Sequence, residues 1–498
     1  MSEFIVSLFS LTNLFWNFAG VFIGIVFGAI PGLTATLGIA LFLPFTFGMP
    51  AATSFALLLG IYCGGIYGGS ITAILIKTPG TPSSATTVLD GHPMRNNGQA
   101  MAALSTSAYA SFFGGIFSCA CLIFLAPQLA KIALKFGPAE YFAIGLFGLS
   151  IISALSSKNI WKGLMSAGLG MAIATIGQDP ISGASRFTFG VPALVGGFNL
   201  VAALIGIFAI SEILCKLENS RRDVLKENDV SAVTGKNIRL SHLIKTNWFN
   251  AVRSSVIGTI IGIIPATGSA TASWISYNEA KRGSKCPEKF GTGIVDGVVA
   301  SEAANNAVTG GALIPLLTLG IPGDACTAIL MGALMLQGLT PGPTLFTDHG
   351  DVMNSIYCML LVSNIFMLIL GLLGVPLFVQ IIKAPTSILM SVVLVLCFIG
   401  SFAINSSMWD VRMALFLGFV GYLFNKGDFP LSPFLLGFIL EPIVEKNFLR
   451  ALVISSGSFK IFFASPICLI FIAISIATFA WPLISAYREK LAQRRSRT

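Results

Sequence analysis

Four short segments place proline beside glycine, threonine and serine inside otherwise apolar sequence. They are Ile30-Pro-Gly-Leu-Thr-Ala-Thr36, Thr78-Pro-Gly-Thr-Pro-Ser-Ser84, Ile264-Pro-Ala-Thr-Gly-Ser269 and Ile321-Pro-Gly-Asp-Ala-Cys-Thr327. Each reads as a helix stop followed by a new helix start, with proline tolerated at the first helical turn and hydroxyls near the bare N–H groups. Such a start carries partial positive charge and free donors, which suit carboxylate oxygens. Carbonyls freed at the preceding helix end suit a small cation such as sodium. The anion-binding candidates are Gly32, Thr34, Thr36, Gly80, Ser83 and Ser84 in the first half, and Thr267, Gly268, Ser269 and Gly323 in the second.

Ser301-Glu-Ala-Ala-Asn-Asn-Ala-Val-Thr-Gly-Gly311 interrupts another apolar run. Asn305 and Asn306 are placed with the substrate, as donors to carboxylates or as oxygen ligands. An acid in a membrane helix points to a functional site, so Glu302 is the first candidate for carrying the coupling cation. Thr309, Asp324 and Thr327 join it. An interhelical hydrogen bond is the plainer role for Glu302 or either Asn. Lys77, just before Thr78-Pro79, either neutralises an anionic substrate or snorkels to a membrane face. Asp324 would repel a carboxylate and reads as a helix cap or a cation ligand. No cofactor is expected. The coupling ion is sodium or a proton, and the ligands of a sodium site are not assigned. His92, His242 and His349 read as loop residues without a role. The nine cysteines read as small hydrophobes, the Cys119–Cys121 pair included.

The elements that must hold these groups are membrane helices. Of 498 residues, 55% are hydrophobic and 10% charged, against about 25% charged in soluble domains. Spans need about 20 apolar residues. Runs of that kind recur, as in Met101 to Ala126, Tyr357 to Ile382 and Phe459 to Tyr487, and roughly a dozen spans are expected. No cleavable secretory signal is expected at the start. The net charge of +9 is concentrated. Lys216, Arg221, Arg222, Lys226, Lys236, Arg239, Lys245 and Arg253 crowd the centre, and Arg488, Lys490, Arg494, Arg495 and Arg497 the tail. These flanks mark the cytoplasmic side. Their position at membrane exits argues against nucleic-acid binding.

The halves around the central stretch resemble each other. At an offset of 234 residues Thr12-Asn13 falls on Thr246-Asn247, Phe15 on Phe249, Gly24 on Gly258, Gly28 on Gly262 and Ile30-Pro31 on Ile264-Pro265. Gly68-Gly69 then matches Gly310-Gly311, and Pro79-Gly80 matches Pro322-Gly323. Trp161…Gly177-Gln-Asp-Pro180 matches Trp409…Gly427-Asp-Phe-Pro430. The Pro265 segment has basic flanks on both sides, including Lys281, Arg282, Lys285 and Lys289. Gly20 to Gly48 has none. The expectation is an all-α polytopic membrane protein of two inverted repeats, with broken helices and re-entrant hairpins. Parallel repeats are the alternative. The stretches Ser10 to Ala19 and Leu240 to Val252 read as interfacial braces, or for the first as part of one spanning helix. Residues 1–214 form the first repeat, 215–253 a basic cytoplasmic linker, 254–457 the second repeat, and 458–498 a final span with a basic cytoplasmic tail.

The pattern Gly28-Ala-Ile-Pro-Gly32, Thr78-Pro-Gly-Thr-Pro-Ser-Ser84 with Leu89-Asp-Gly-His-Pro-Met94, and Glu302-Ala-Ala-Asn-Asn306…Gly310 to Gly323 resembles the TctA family, from about Phe15 to Leu452. That family is the large membrane subunit of bacterial tripartite tricarboxylate transporters. The resemblance implies a small four-helix membrane partner and a periplasmic solute-binding protein. It implies ion-driven uptake of citrate or related carboxylates across the inner membrane, with elevator-type movement. Two positions depart from the family's usual residues: Lys77 stands for an uncharged amide and Asp324 for a small residue. They put the substrate's identity in question. The alternative is a carrier for another small organic solute, working without a binding protein.

Other classes lack their residues. There is no G-x-x-x-x-G-K-[ST] loop for ATP hydrolysis and no H-E-x-x-H, and Gly183-Ala-Ser185 continues as Arg-Phe rather than completing a serine-hydrolase elbow. The chain is therefore not expected to be an enzyme. Internal repeats with broken helices favour alternating access over a channel.

Overall fold

The computed structural model describes residues 10–155, 160–219, 237–238, 240–265, 267–382 and 386–495. Residues 220–236 and 239 of the basic linker lie outside them, as do the first nine residues. Among the described residues the regular structure is helical, apart from one pair of two-residue strands, Gly177–Gln178 and Ser185–Arg186. Among the described residues five helices are long and apolar enough to cross a membrane, and shorter apolar helices accompany them. The chain is thus a multi-pass membrane protein.

The helices used below are α1 (Leu11–Ala29), α2 (Ala35–Phe42), α3 (Ala51–Ile76), α4 (Thr87–Asn96), α5 (Ala100–Ala133), α6 (Pro138–Leu155), α7 (Ile160–Ala174) and α8 (Ser211–Asn219). The second half adds α9 (Leu240–Ile263), α10 (Gly268–Arg282), α11 (Val295–Leu319), α12 (Ala325–Leu336), α13 (Gly350–Leu373), α14 (Thr386–Ala403), α15 (Met408–Lys426), α16 (Leu431–Ile454) and α17 (Pro466–Arg495). Neither half has a separate brace helix. Residues 11–19 continue into α1, and 240–252 are the first half of α9. His92 lies in α4 and His242 in α9, so only His349 sits between helices as expected.

The chain forms two compact units, each drawing on both halves of the sequence. One comprises Met1–Lys131 with Phe208–Ser406, and the other Ile132–Ile207 with Ser407–Thr498. In the first unit α1 lies along α3 and α9 along α11. Glycine sets how closely. A Cβ on Gly24 would lie 2.4 Å from the Ile61 carbonyl oxygen, and one on Gly28 2.2 Å from that of Gly65. At the matching contact of the second half, a Cβ on Gly258 would lie 2.2 Å from the Ala304 oxygen. Small residues let membrane helices approach backbone to backbone, where dispersion replaces the missing hydrophobic drive. The central helix α3 is enclosed, with 94% of its apolar window buried. Asn17 ties α1 to its neighbours, donating to the carbonyls of Ala56 and Met359 and to Ser363 Oγ.

In the second unit α7 crosses α16 by the same device: a Cβ on Gly170 would lie 2.0 Å from the Phe434 oxygen. The matched motifs after Trp161 and Trp409 sit at the ends of α7 and α15. Lys162 donates to the Gly427 carbonyl at 2.7 Å and Ser166 to that of Pro430 at 2.6 Å. In the turn after α7, the Ser182 and Ile181 N–H groups donate to Asp179 Oδ1 and hold its carboxyl below the usual range. Arg186 bridges from that hairpin to Glu445.

Gly24→Val is expected to lower the melting temperature of the detergent-solubilised protein, through overpacking worth about 1–3 kcal/mol. An unchanged melting curve would contradict the close α1–α3 contact.

Candidate functional site

All four breaks lie in the first unit. The first runs from the end of α1 to α2. Gly32 takes a left-handed φ of +85°, Leu33 N–H donates to the Ile30 carbonyl, and Thr34 caps α2 by accepting from the Leu37 N–H at 3.2 Å. The fourth ends α11 at Gly320 and restarts at α12. Asp324 caps α12, accepting from the Thr327 N–H at 2.8 Å, while Thr327 Oγ1 accepts from the Asp324 N–H at 2.8 Å. The second follows α3, where Lys77 is left-handed at φ 61°. Its turn is held by Ser84 Oγ donating to the Thr81 carbonyl at 2.9 Å. At the third, Thr267 Oγ1 donates to the Ile264 carbonyl at 2.8 Å and Gly268 starts α10 at φ +70°.

Within each half, glycine seats one break against the helix that leads into the other. A Cβ on Gly80 would lie 2.0 Å from the Gly28 oxygen, and one on Gly323 2.5 Å from the Gly262 oxygen. These are the same pair of positions in the two repeats. Between halves, the elements beyond the breaks meet crosswise. Thr36 Oγ1 on α2 is 3.3 Å from Cys326 Sγ on α12, and Thr86 Oγ1 before α4 is hydrogen-bonded to Ser273 Oγ on α10. First meets fourth and second meets third, as an exchange of the halves requires. Tyr62 of α3 donates to Asp324 Oδ2 at 2.6 Å.

A separate buried cluster surrounds Glu302 on α11. Its Oε1 accepts from Ser70 Oγ of α3 at 2.6 Å and from Thr87 Oγ1 of α4, and its Oε2 from Ser111 Oγ of α5 at 3.0 Å. Asn306 donates to the same Ser111 hydroxyl at 2.8 Å and to the Glu302 carbonyl. Asn305 is fully buried, and among the described residues neither its amide nitrogen nor its oxygen has a hydrogen-bond partner. Buried amides are rarely left so, and this one costs stability unless something else completes it.

The sequence matches the tripartite tricarboxylate transporter TctA family over residues 14–436. The chain belongs to the TctA family. Two relatives come from Agrobacterium vitis. The "Uncharacterized 52.8 kDa protein in TAR-I ttuC' 3'region" is 37% identical over 488 residues, covering 96% of this chain and 94% of that protein. The "Uncharacterized protein in TAR-II ttuC' 3'region" is 34% identical over 236 residues, covering 47% of this chain and 98% of that protein. No solved structure matches. The family is one of transporters.

On this TctA-family chain the expected site residues divide into groups. Thr36 meets Cys326, the neighbour in sequence of Asp324 and Thr327, where α2 meets α12, and Gly32 and Thr34 lie in the turn before α2. Gly80, Ser83 and Ser84 are buried in the second break, and Gly323 in the fourth. Thr267, Gly268 and Ser269 are half-buried at the third. Of the cation candidates, Asp324 pairs with Thr327 but no hydrogen bond among the described residues links either to Glu302. Thr309 Oγ1 donates to the Asn306 carbonyl of its own helix. Lys77 is exposed. Sequence reasoning missed Tyr62, Ser70, Thr87, Ser111 and Cys326. A hydroxyl in an apolar helix was the available signal, but many such hydroxyls only bond their own backbone, as Thr318 does to Ile314.

With Cys326 as the one remaining native cysteine, Thr36→Cys is expected to form a disulfide with it under mild oxidation, read as loss of both thiols to maleimide labelling. Persistent labelling of both would show that α2 and α12 do not meet here.

Proposed function

We propose that this chain is the large permease subunit of a binding-protein-dependent secondary carrier that imports tricarboxylates or related carboxylates. A sodium or proton gradient drives it. The observation that carries this reading is the crosswise meeting of the elements beyond the four breaks, which gathers several helix starts in one compact unit. Helix starts present N–H donors and positive potential to an anion, and irregular backbone at membrane depth is stable where it lines a cavity.

The substrate's oxygens are assigned to Gly32, Thr34, Thr36, Gly80, Ser83, Ser84, Thr267, Gly268, Ser269, Asn305, Asn306 and Gly323, with Lys77 at the rim. The coupling ion is assigned first to Glu302, whose oxygens lie among the hydroxyls of Ser70, Thr87 and Ser111. Thr309, Asp324 and Thr327 are the further candidates. An oxygen-rich nest around one carboxylate suits either sodium or a transferable proton. The halves work as inverted repeats with an elevator-type exchange of access, in the inner membrane, with the linker and C-terminus cytoplasmic. A small four-helix membrane subunit and a periplasmic solute-binding protein complete the system.

The test is uptake of labelled citrate and a panel of other carboxylates into proteoliposomes holding this chain and its small partner. Sodium and proton gradients are imposed separately, with and without the binding protein. Asn305→Ala removes two polar atoms that have no partner among the described residues, so the fold is expected to keep its stability while uptake is lost. Gly80→Val is also expected to abolish uptake, with membrane levels checked alongside. Wild-type uptake in both would sink the site. Glu302→Gln is expected to lose gradient-driven accumulation while exchange of labelled for unlabelled substrate persists. Intact accumulation would remove Glu302 from coupling.

A further inference from the structure

The central basic residues read as a cytoplasmic flank, yet one of them is elsewhere. Lys216 lies on α8, at the end of the apolar run Leu200–Glu218. Its Nζ donates to the Pro31 carbonyl at 2.8 Å, inside the first helix break. A Cβ placed on Gly32 would come within 1.7 Å of that same nitrogen. The ammonium therefore occupies the space that any side chain at residue 32 would fill.

An ammonium has three N–H donors. Among the described residues the Pro31 carbonyl is the oxygen that accepts from it, and Glu212, one turn earlier on α8, is the acid that faces it. The side chain is only half-buried, and the Pro31 carbonyl takes one of its three donors. On one side lies the carbonyl end of α1, where a cation is favoured. On the other lies the turn into Thr34, whose helix start favours an anion. A cation on an apolar helix whose ammonium meets broken backbone is by default a candidate for a substrate pathway.

We propose that Lys216 is a substrate-contacting residue, the fixed positive charge that takes one carboxylate of the transported anion at the Pro31–Gly32 break. The inference rests on the carboxylate reading above and adds the group that balances the anion's charge. Gly32 then has two duties: its φ of +85° turns the chain, and its missing side chain leaves room for the ammonium.

The test uses the full carrier in proteoliposomes with citrate as the probe, followed by whichever carboxylate of the panel the wild type transports best. Lys216→Gln keeps an amide donor for the Pro31 carbonyl but loses the charge. It is expected to raise KM about tenfold or more, the size of one charge-assisted hydrogen bond, with maximal rate and membrane level little changed. Lys216→Arg is expected to recover much of the affinity. Independently of any variant, saturating substrate is expected to slow acylation of Lys216 by acetic anhydride in the wild-type protein, read by peptide mass spectrometry. A purely structural lysine would show no such protection. Unchanged KM in Lys216→Gln, or absent protection while the wild type transports the anion, overturns this inference and leaves the carboxylate reading standing. Failure of the wild type to take up any carboxylate overturns both.

Discussion

An interrupted helix in a medium without water must find partners for every N–H and C=O it frees, and each failure costs several kcal/mol. Four interruptions in one unit make this the constraint around which the rest is built. The chain meets it locally, with threonine, serine and aspartate at the restarts, and globally, by pressing the breaks against one another. Asp324 and Thr327 satisfy each other's backbone at the start of α12. Gly80 N–H donates back to the Gly69 carbonyl at 3.2 Å, which holds the second break against α3.

Close approach makes that possible. The glycines of α1 and α3 remove the side chains that would keep two helices a full diameter apart, and α9 with α11 repeats the arrangement. Because Gly28 and Gly262 each receive the glycine of a later break, close packing and break placement are one device. A larger residue at either contact would disturb both. Positions matched between the halves thus make matching contacts.

The polar interior divides into two places. Near the first break and the start of α12, half-buried Thr34, Thr36, Asp324 and Lys216 stand with the buried Tyr62 and Thr327, and the Lys216 ammonium meets open backbone. Around Glu302 the groups are fully buried, and hydroxyls from three helices converge on one carboxylate. The proposed reading puts the Lys216 contact with the anion in the first setting and coupling through Glu302 in the second. A low local dielectric strengthens the polar contacts in both.

Composition, the spacing of apolar runs and the position of each Pro-Gly pair were enough to read membrane helices and their breaks. These follow from local rules: hydropathy over a span and proline's missing N–H. Asn305 and Glu302 were legible because polar side chains are costly in an apolar helix. What the sequence left open was the partner of each group. That Thr36 meets Cys326, that Glu302 gathers Ser70, Thr87 and Ser111, and that Lys216 reaches Pro31 depend on helices up to about 290 residues apart in the chain. Even the extent of α1 and α9 was ambiguous, since a continuous helix and a brace followed by a hairpin share one apolar pattern. Local preferences select the elements. Only tertiary packing decides which polar groups share a site, because a hydroxyl's partner is set by which helix glycine allows to come close.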